Sequence, residues 1–198
     1  ITPRDEDAPP WDEVKQKEWQ DMRMAVYAAQ VHQMDRAIGR MVAALREFGV
    51  EENTLLMFLS DNGGCAEFLA EDTNRREPDR YISRPAEGRS VRVGNIPGLR
   101  PGSADTYMSY DLPWSNVSNT PFRHFKRWVH EGGISTPFIV HWPAKVKHSA
   151  ISSRPAHIID IMATCLDAAG ASYPSEFGGE AITPLEGESL MPTIEDRS

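Results

Sequence analysis

Apolar residues spaced three and four apart mark the first regular element. Val31, Met34, Ile38, Met41, Val42, Leu45 and Phe48 form one stripe, so residues 19–48 read as an amphipathic helix. Gly39 weakens its middle by roughly 1 kcal/mol relative to Ala, which points to a close packing neighbour there. Gly49 stands where a helix C-terminus takes a left-handed residue. The pattern then changes. Thr54-Leu-Leu-Met-Phe-Leu-Ser60 is apolar without alternation, as expected of a strand covered on both faces. Pro137-Phe-Ile-Val-His-Trp142 predicts a second buried strand. A short helix is predicted over 158–169, with Ile158, Ile159, Met162 and Leu166 inward and Gly170 as its stop. Helix, buried strand, buried strand, helix is the order of an α/β layered fold.

Between these elements the pattern is weak. Residues 1–13 set Pro3, Pro9 and Pro10 among Asp5, Glu6, Asp7, Asp12 and Glu13, and residues 1–18 read as an exposed connector to a main body at 19–198. Residues 65–118 are rich in Arg, Pro, Gly and Asp and read as one long surface insertion. Loops of that length are uncommon and usually functional. The chain opens at Ile1 with no basic and apolar leader, and closes on the polar Ile194-Glu-Asp-Arg-Ser198. It is expected to be part of a longer protein.

Composition narrows the class. With 198 residues, 40% hydrophobic and 9% aromatic, the chain can build a core and is not a disordered tail. A formal charge of -8 argues against a general nucleic-acid surface, which needs a basic stripe to neutralise phosphates. No run approaches the roughly 18 to 20 apolar residues of a membrane span. Cys65 and Cys165 are too few for a disulfide framework and too far apart for a zinc knuckle.

Two segments can carry chemistry. Ser60-Asp61-Asn62-Gly63-Gly64 follows the first strand, and ligands in α/β sheets gather beyond the carboxyl ends of strands. Asp61 offers a carboxylate and Asn62 an amide oxygen, hard donors suited to Ca²⁺ or Mg²⁺. An ordinary Asp-Asn-Gly turn has the same pattern. The second segment, residues 119–133, concentrates Arg123, His124, Lys126, Arg127 and His130 in an otherwise acidic chain. It reads either as a cationic pocket for an oxyanion or as a solvated basic loop with Trp128 packed underneath. His130-Glu131 is not a zinc-protease motif, because position 134 is Ile. His141 and His157 read as core histidines, and His32 as structural or exposed. No triad spacing supports Cys65 as a nucleophile. Asn116-Val-Ser118 is a formal glycosylation sequon.

Taken together, the segments resemble the sulfatase family, of the arylsulfatase type, within the alkaline-phosphatase-like superfamily. The matching stretches are Tyr27-Ala-Ala-Gln-Val-His-Gln-Met-Asp35-Arg-Ala-Ile-Gly39, Asn53-Thr-Leu-Leu-Met-Phe-Leu-Ser-Asp-Asn-Gly-Gly64, and Lys126 with His130-Glu-Gly-Gly133. Pro137-Phe-Ile-Val-His-Trp-Pro143 and Asp160-Ile-Met-Ala-Thr164 leading into Leu166-Asp-Ala-Ala-Gly170 complete them. Their order is that of the second half of the family's catalytic domain, over residues 20–192. The resemblance implies an α/β alkaline-phosphatase-like fold with a mixed, largely parallel sheet between helices, present as a C-terminal fragment.

It also implies roles. Asp61 and Asn62 inherit part of a calcium site, and Lys126 the contact to the sulfate group that helps stabilise the leaving oxygen. The family's nucleophile is a formylglycine made from Cys (or Ser), with Pro or Ala two positions on and Arg two positions after that. Cys65, followed by Ala-Glu-Phe-Leu, and Cys165, followed by Leu-Asp-Ala-Ala, do not fit. The nucleophile is therefore expected in an N-terminal half not present here. Ala163 stands where the family commonly has Pro. Two oxygen donors cannot fill the roughly six to eight positions calcium prefers, so the chain alone is expected to bind calcium weakly, to be inactive and to aggregate.

The leading expectation is a calcium-dependent sulfuric ester hydrolase. A phosphonate monoester or phosphodiester hydrolase of the same superfamily is the alternative, as is a non-catalytic binding relative. Arg75, Arg76, Arg80, Arg84, Arg89, Arg92 and Arg100 in the 65–118 stretch suit a sulfated glycan. The same stretch carries Glu67, Glu71, Asp72, Glu77, Asp79 and Glu87, so self-paired surface charge explains it as well. An exported location is what the resemblance favours.

Overall fold

The segment with the clearest helical period folds as a helix. A computed structural model describes residues 3–69, 88 and 90–195. In chain order the elements are α1 (Lys17–Glu47), β1 (Leu56–Leu59), β2 (Arg92–Val93), β3 (Thr106–Tyr107), α2 (Asp111–Ser118), α3 (Glu131–Ile134), β4 (Phe138–His141), α4 (Asp160–Ala169), β5 (Glu176–Phe177), β6 (Glu180–Ala181) and α5 (Met191–Ile194). Both long helices stop at the predicted glycines: Gly49 has φ 67° and Gly170 φ 63°, left-handed values that cost a side chain-free residue little. No helix among the described residues is long and apolar enough to cross a membrane.

The chain divides into two compact units, Ile1–Met41 with Asn62–Pro137, and Val42–Asp61 with Phe138–Ser198. In the first unit the anchor is Arg23, only 4% exposed. Its guanidinium donates to the Ser109 carbonyl at 2.6 and 3.1 Å and lies 3.4 Å from the Asp111 carboxylate. Burial lowers its pKa, and Asp111 acts in the opposite sense. Asn95 and Ser109 exchange hydrogen bonds at 2.9 and 3.0 Å, and Tyr110 stacks on Tyr27 at 4.6 Å. Trp19 and Trp114 donate their indole N–H groups to Leu99 and Gln20 carbonyls. The described part of the 65–118 stretch is thus folded onto α1 rather than lying on the surface as one loop. It carries α2 and the parallel pair β2–β3, in register Arg92↔Thr106 and Val93↔Tyr107. The predicted connector packs too: Ala8 is buried and Trp11 meets Trp114 at 5.7 Å. Composition alone had marked both segments as exposed, because their partners lie far away in sequence.

In the second unit β1 pairs antiparallel with β4, from Leu56↔His141 to Leu59↔Phe138. Glu51 accepts from Arg46 at 2.6 Å and lies 3.2 Å from His141 Nε2, and the Arg46 bond holds its carboxyl below the usual range. Thr164 is fully buried; its hydroxyl donates to the Asp160 carbonyl at 2.7 Å and accepts from Leu190 N–H at 2.9 Å. The Asp160 carboxylate accepts the N–H groups of His157 at 2.7 Å and Glu188 at 2.9 Å. These bonds pin the C-terminal segment to α4.

Five expectations need correcting. The sheet was expected to be largely parallel, but among the described residues two of the three strand pairs are antiparallel. Nor are both faces covered: β1 is half-buried throughout and Ile139 on β4 is 56% exposed. Apolar runs report burial potential and carry no information on partner direction. The α1 stripe is open at Val31, Met34, Met41 and Phe48, and Ile158, Ile159 and Met162 are exposed, while Ala163 and Thr164 are buried instead. Gly39 has nothing within 4 Å of a built Cβ, so no close neighbour explains it. Finally, of the two predicted core histidines His141 is half-buried beside Glu51 and His157 is exposed. Periodicity identifies an apolar face, not what covers it.

The Asp160 carboxyl is held below its ordinary value of 3.8, first by the Glu188 N–H and then by the His157 N–H. A depressed carboxyl stabilises the fold above its ordinary value, and the stabilisation fades as pH falls through the folded-state value. Asp160→Asn is expected to lower stability at pH 7 by up to about 1 kcal/mol, solvent screening included. Urea unfolding at pH 7 and pH 3 checks this: the gap from wild type should narrow at pH 3, and an equal gap at both would contradict it.

Candidate functional site

The turn after β1 is where hard oxygen donors collect. Asp61, the last residue before the chain passes into the first unit, has an exposed carboxylate with no partner among the described residues. Asn62 follows directly, and its Nδ2 donates to the Gly63 carbonyl at 3.0 Å, which directs the amide nitrogen into the turn.

From Asn62 onward the turn is fastened to the basic segment by backbone. Gly63 N–H donates to the Gly133 carbonyl at 3.1 Å, and Lys126 N–H to the Gly64 carbonyl at 3.0 Å. Gly132 N–H donates to Arg123 at 2.9 Å and Gly133 N–H to His130 at 2.7 Å. Asn119 adds a side-chain link: its Oδ1 accepts Gly64 N–H at 3.0 Å, and its Nδ2 donates to the carbonyls of His124 and Gly132. The approach is so close that a Cβ on Gly63 would overlap the Gly132 carbonyl, and one on Gly132 would overlap the His124 carbonyl. Only glycine lets two backbones meet at this distance.

Lys126 sits between two strained residues. His124 has φ 63° and Arg127 φ 83°, left-handed values that cost a residue with a side chain energy and persist where the surroundings over-determine them. The His124 ring stacks on Trp128 at 4.3 Å, meets the His130 ring edge-on at 4.6 Å, and places Nδ1 3.6 Å from the Asp5 carboxylate. His130 Nδ1 is buried without a hydrogen-bond partner. Trp128 is therefore stacked on His124 and half open rather than packed beneath the loop. Arg127 is neutralised by Glu67 at 2.7 Å, while the Lys126 ammonium has no partner among the described residues. Ala66, Glu67, Phe68, Leu69, Phe125 and Lys126, with Arg127, line a cleft of about 460 Å³. A half-buried, unpaired ammonium in a cleft is suited to an oxyanion.

The donors fit a hard cation in kind, and their number falls short. Among the described residues no group of three or more His, Cys, Asp or Glu side chains is placed to hold a metal. Asp61 and Asn62 offer two of the roughly six to eight oxygens that calcium takes. The structure brings Asn62 and Lys126 into one bonded assembly through Gly64. Asn119 was missed as a linker, since one Asn at the head of a basic segment carries no signal of its own. Arg75, Arg76, Arg80, Arg84 and Arg89 lie outside the described residues, so the glycan expectation has only the exposed Arg92 and Arg100 to stand on. Cys65 and Cys165 are free thiols, and the sequon residue Asn116 is half-buried on α2.

Comparison with known proteins bears on the family. The sulfatase family profile matches residues 5–171. The chain is 29% identical over 170 residues to an arylsulfatase of Klebsiella aerogenes, covering 84% of this chain and 34% of that protein. It is 30% identical over 183 residues to an uncharacterized sulfatase of Schizosaccharomyces pombe, covering 90% and 31% respectively. An N-acetylgalactosamine-6-sulfatase of Rattus norvegicus is 26% identical over 168 residues, covering 85% of this chain and 23% of that protein. The chain thus spans about a third or less of the length of the curated relatives it matches.

Gly63→Ala should force the turn and the Gly132 carbonyl apart, costing about 1 to 3 kcal/mol of stability. Gly39→Ala, in open space on α1, should instead stabilise by up to about 1 kcal/mol. Thermal unfolding of both variants checks the pair, and equal effects would contradict the packing described.

Proposed function

The chain belongs to the sulfatase family, and from that premise we propose that it supplies one side of the active site of a calcium-dependent sulfuric ester hydrolase. One observation carries the reading: the loop bearing the unpaired Lys126 ammonium is bonded through Lys126 N–H to the turn that bears Asn62. An anion-binding cation and a hard-donor turn so joined suit a substrate that presents an anionic group beside a metal.

In this reading Lys126 donates to a sulfate oxygen and stabilises the oxygen that leaves, where negative charge grows as the S–O bond breaks. The cleft beside it holds the rest of the ester against Phe125 and Phe68. Asp61 and Asn62 provide two ligands of the ion, and residues outside this chain provide the others. Calcium, when bound, offsets charge on the sulfate oxygens. Neither cysteine has the sequence context of a formylglycine precursor, so the attacking group is assigned to a part of the protein outside this chain. Names of relatives favour a sulfate ester over a phosphonate or phosphodiester. The presence of Asp61, Asn62 and Lys126 at the positions of the family motifs they resemble favours an enzyme over a non-catalytic relative.

Turnover of an aryl sulfate by the full-length protein tests the reading. Asp61→Ala is expected to lower turnover by about 100-fold or more, partly restored by excess calcium. Unchanged activity would remove Asp61 from the metal site. Lys126→Ala should lower turnover and weaken inhibition by free sulfate together; a change in thermal stability alone would make Lys126 structural. Hydrolysis of a phosphonate monoester in place of the sulfate would favour the alternative chemistry.

A further inference from the structure

We propose that Asn119 is a positioning residue for the reaction, holding the donor-bearing turn and the Lys126 loop in one register. The inference rests on the reading of Lys126 and Asn62 given above. Asn119 caps the end of α2, where its own N–H donates to the Ser115 carbonyl at 3.1 Å. Its planar amide then meets three separate segments. Oδ1 accepts from Gly64 N–H at 3.0 Å, two residues after Asn62. Nδ2 donates to the His124 carbonyl at 2.9 Å, two residues before Lys126, and to the Gly132 carbonyl at 2.8 Å. The partners are one N–H and two carbonyls, and only one orientation of the amide satisfies all three.

The chemistry of the position is narrow. Asp has the shape but presents a carboxylate to two carbonyl oxygens and loses both donors. Ala leaves three backbone groups to be met by water in a half-buried place. Without the amide, the basic segment keeps only two backbone ties to the turn, Lys126 N–H to Gly64 and Gly63 N–H to Gly133, while His124 is held in a left-handed conformation that its neighbours must enforce. Asn119 contacts none of the groups assigned to the sulfate, so it acts through Lys126.

A double-mutant cycle in the full-length protein, read as aryl sulfate turnover, tests this. Displacing a reacting group by about 1 Å costs about 100-fold, so Asn119→Ala should lower kcat by about that factor with KM changed far less. In a Lys126→Ala background the same substitution should cost less than about threefold, because the group it positions is already gone. An equal loss in both backgrounds overturns the inference and leaves Asn119 structural. A silent Lys126→Ala removes the site reading itself and the inference with it; a damaging Lys126→Ala with a silent Asn119→Ala removes only the inference. Where Asn119→Ala does not fold, the nearly isosteric Asn119→Asp replaces it. Its activity relative to wild type should rise as pH falls, since the protonated carboxyl regains a donor toward one carbonyl. A ratio that does not change with pH overturns the proposal.

Discussion

The backbone-on-backbone contact between Gly63 and Gly132 is the constraint on which the rest of the site depends. No side chain fits on either residue, so the turn after β1 and the first turn of α3 approach to direct contact distance. That approach allows Gly63 N–H to reach Gly133, Lys126 N–H to reach Gly64, and the Asn119 amide to span all three segments. The bonds are ordinary in strength, about 1 kcal/mol each net, and their value lies in geometry. They hold the segment that carries Lys126 against the turn that carries Asn62, the kind of preorganisation that the proposed electrostatic role requires.

The same economy appears in the supporting structure of the first unit. Arg23 is buried, yet its cost is offset by two bonds to one carbonyl, by Asp111 and by the Trp19 ring 4.7 Å away. The segment that carries Ser109 and Asp111 continues directly into α2, whose end presents Asn119. A charge buried at α1 thereby places the residue that ties the site together. The strain at His124 and Arg127 belongs to this picture: it flanks Lys126 and is held by packing of His124 between Trp128 and His130.

The apolar faces behave differently. Much of the α1 stripe, Ile139 on β4 and the predicted inner face of α4 stay open within this chain. An apolar run states that a face is costly to expose, and the covering partner is a separate matter. Among the described residues, the fully buried side chains are the small Thr164 and Ser115, and Thr164 carries two hydrogen bonds there.

Much was nonetheless legible in the residues alone. Periods of three to four placed α1 and α4 to within two residues at each end, and glycine placed their stops, because both depend on local backbone preference. The two apolar runs marked β1 and β4, and the ordered motifs pointed to the sulfatase family that the family profile also identifies. Asp61, Asn62 and Lys126 stood out as candidates by donor type, and the roles proposed for them come from the family resemblance. What only the tertiary structure decided was everything set by distant partners. The antiparallel pairing of β1 with β4, the burial of Arg23 and Ala8, and the folding of residues 90–118 onto α1 have no local signature. The role of Asn119 is the clearest case, since a single amide becomes a linker only when three chain segments, up to 68 positions apart between Gly64 and Gly132, meet around it.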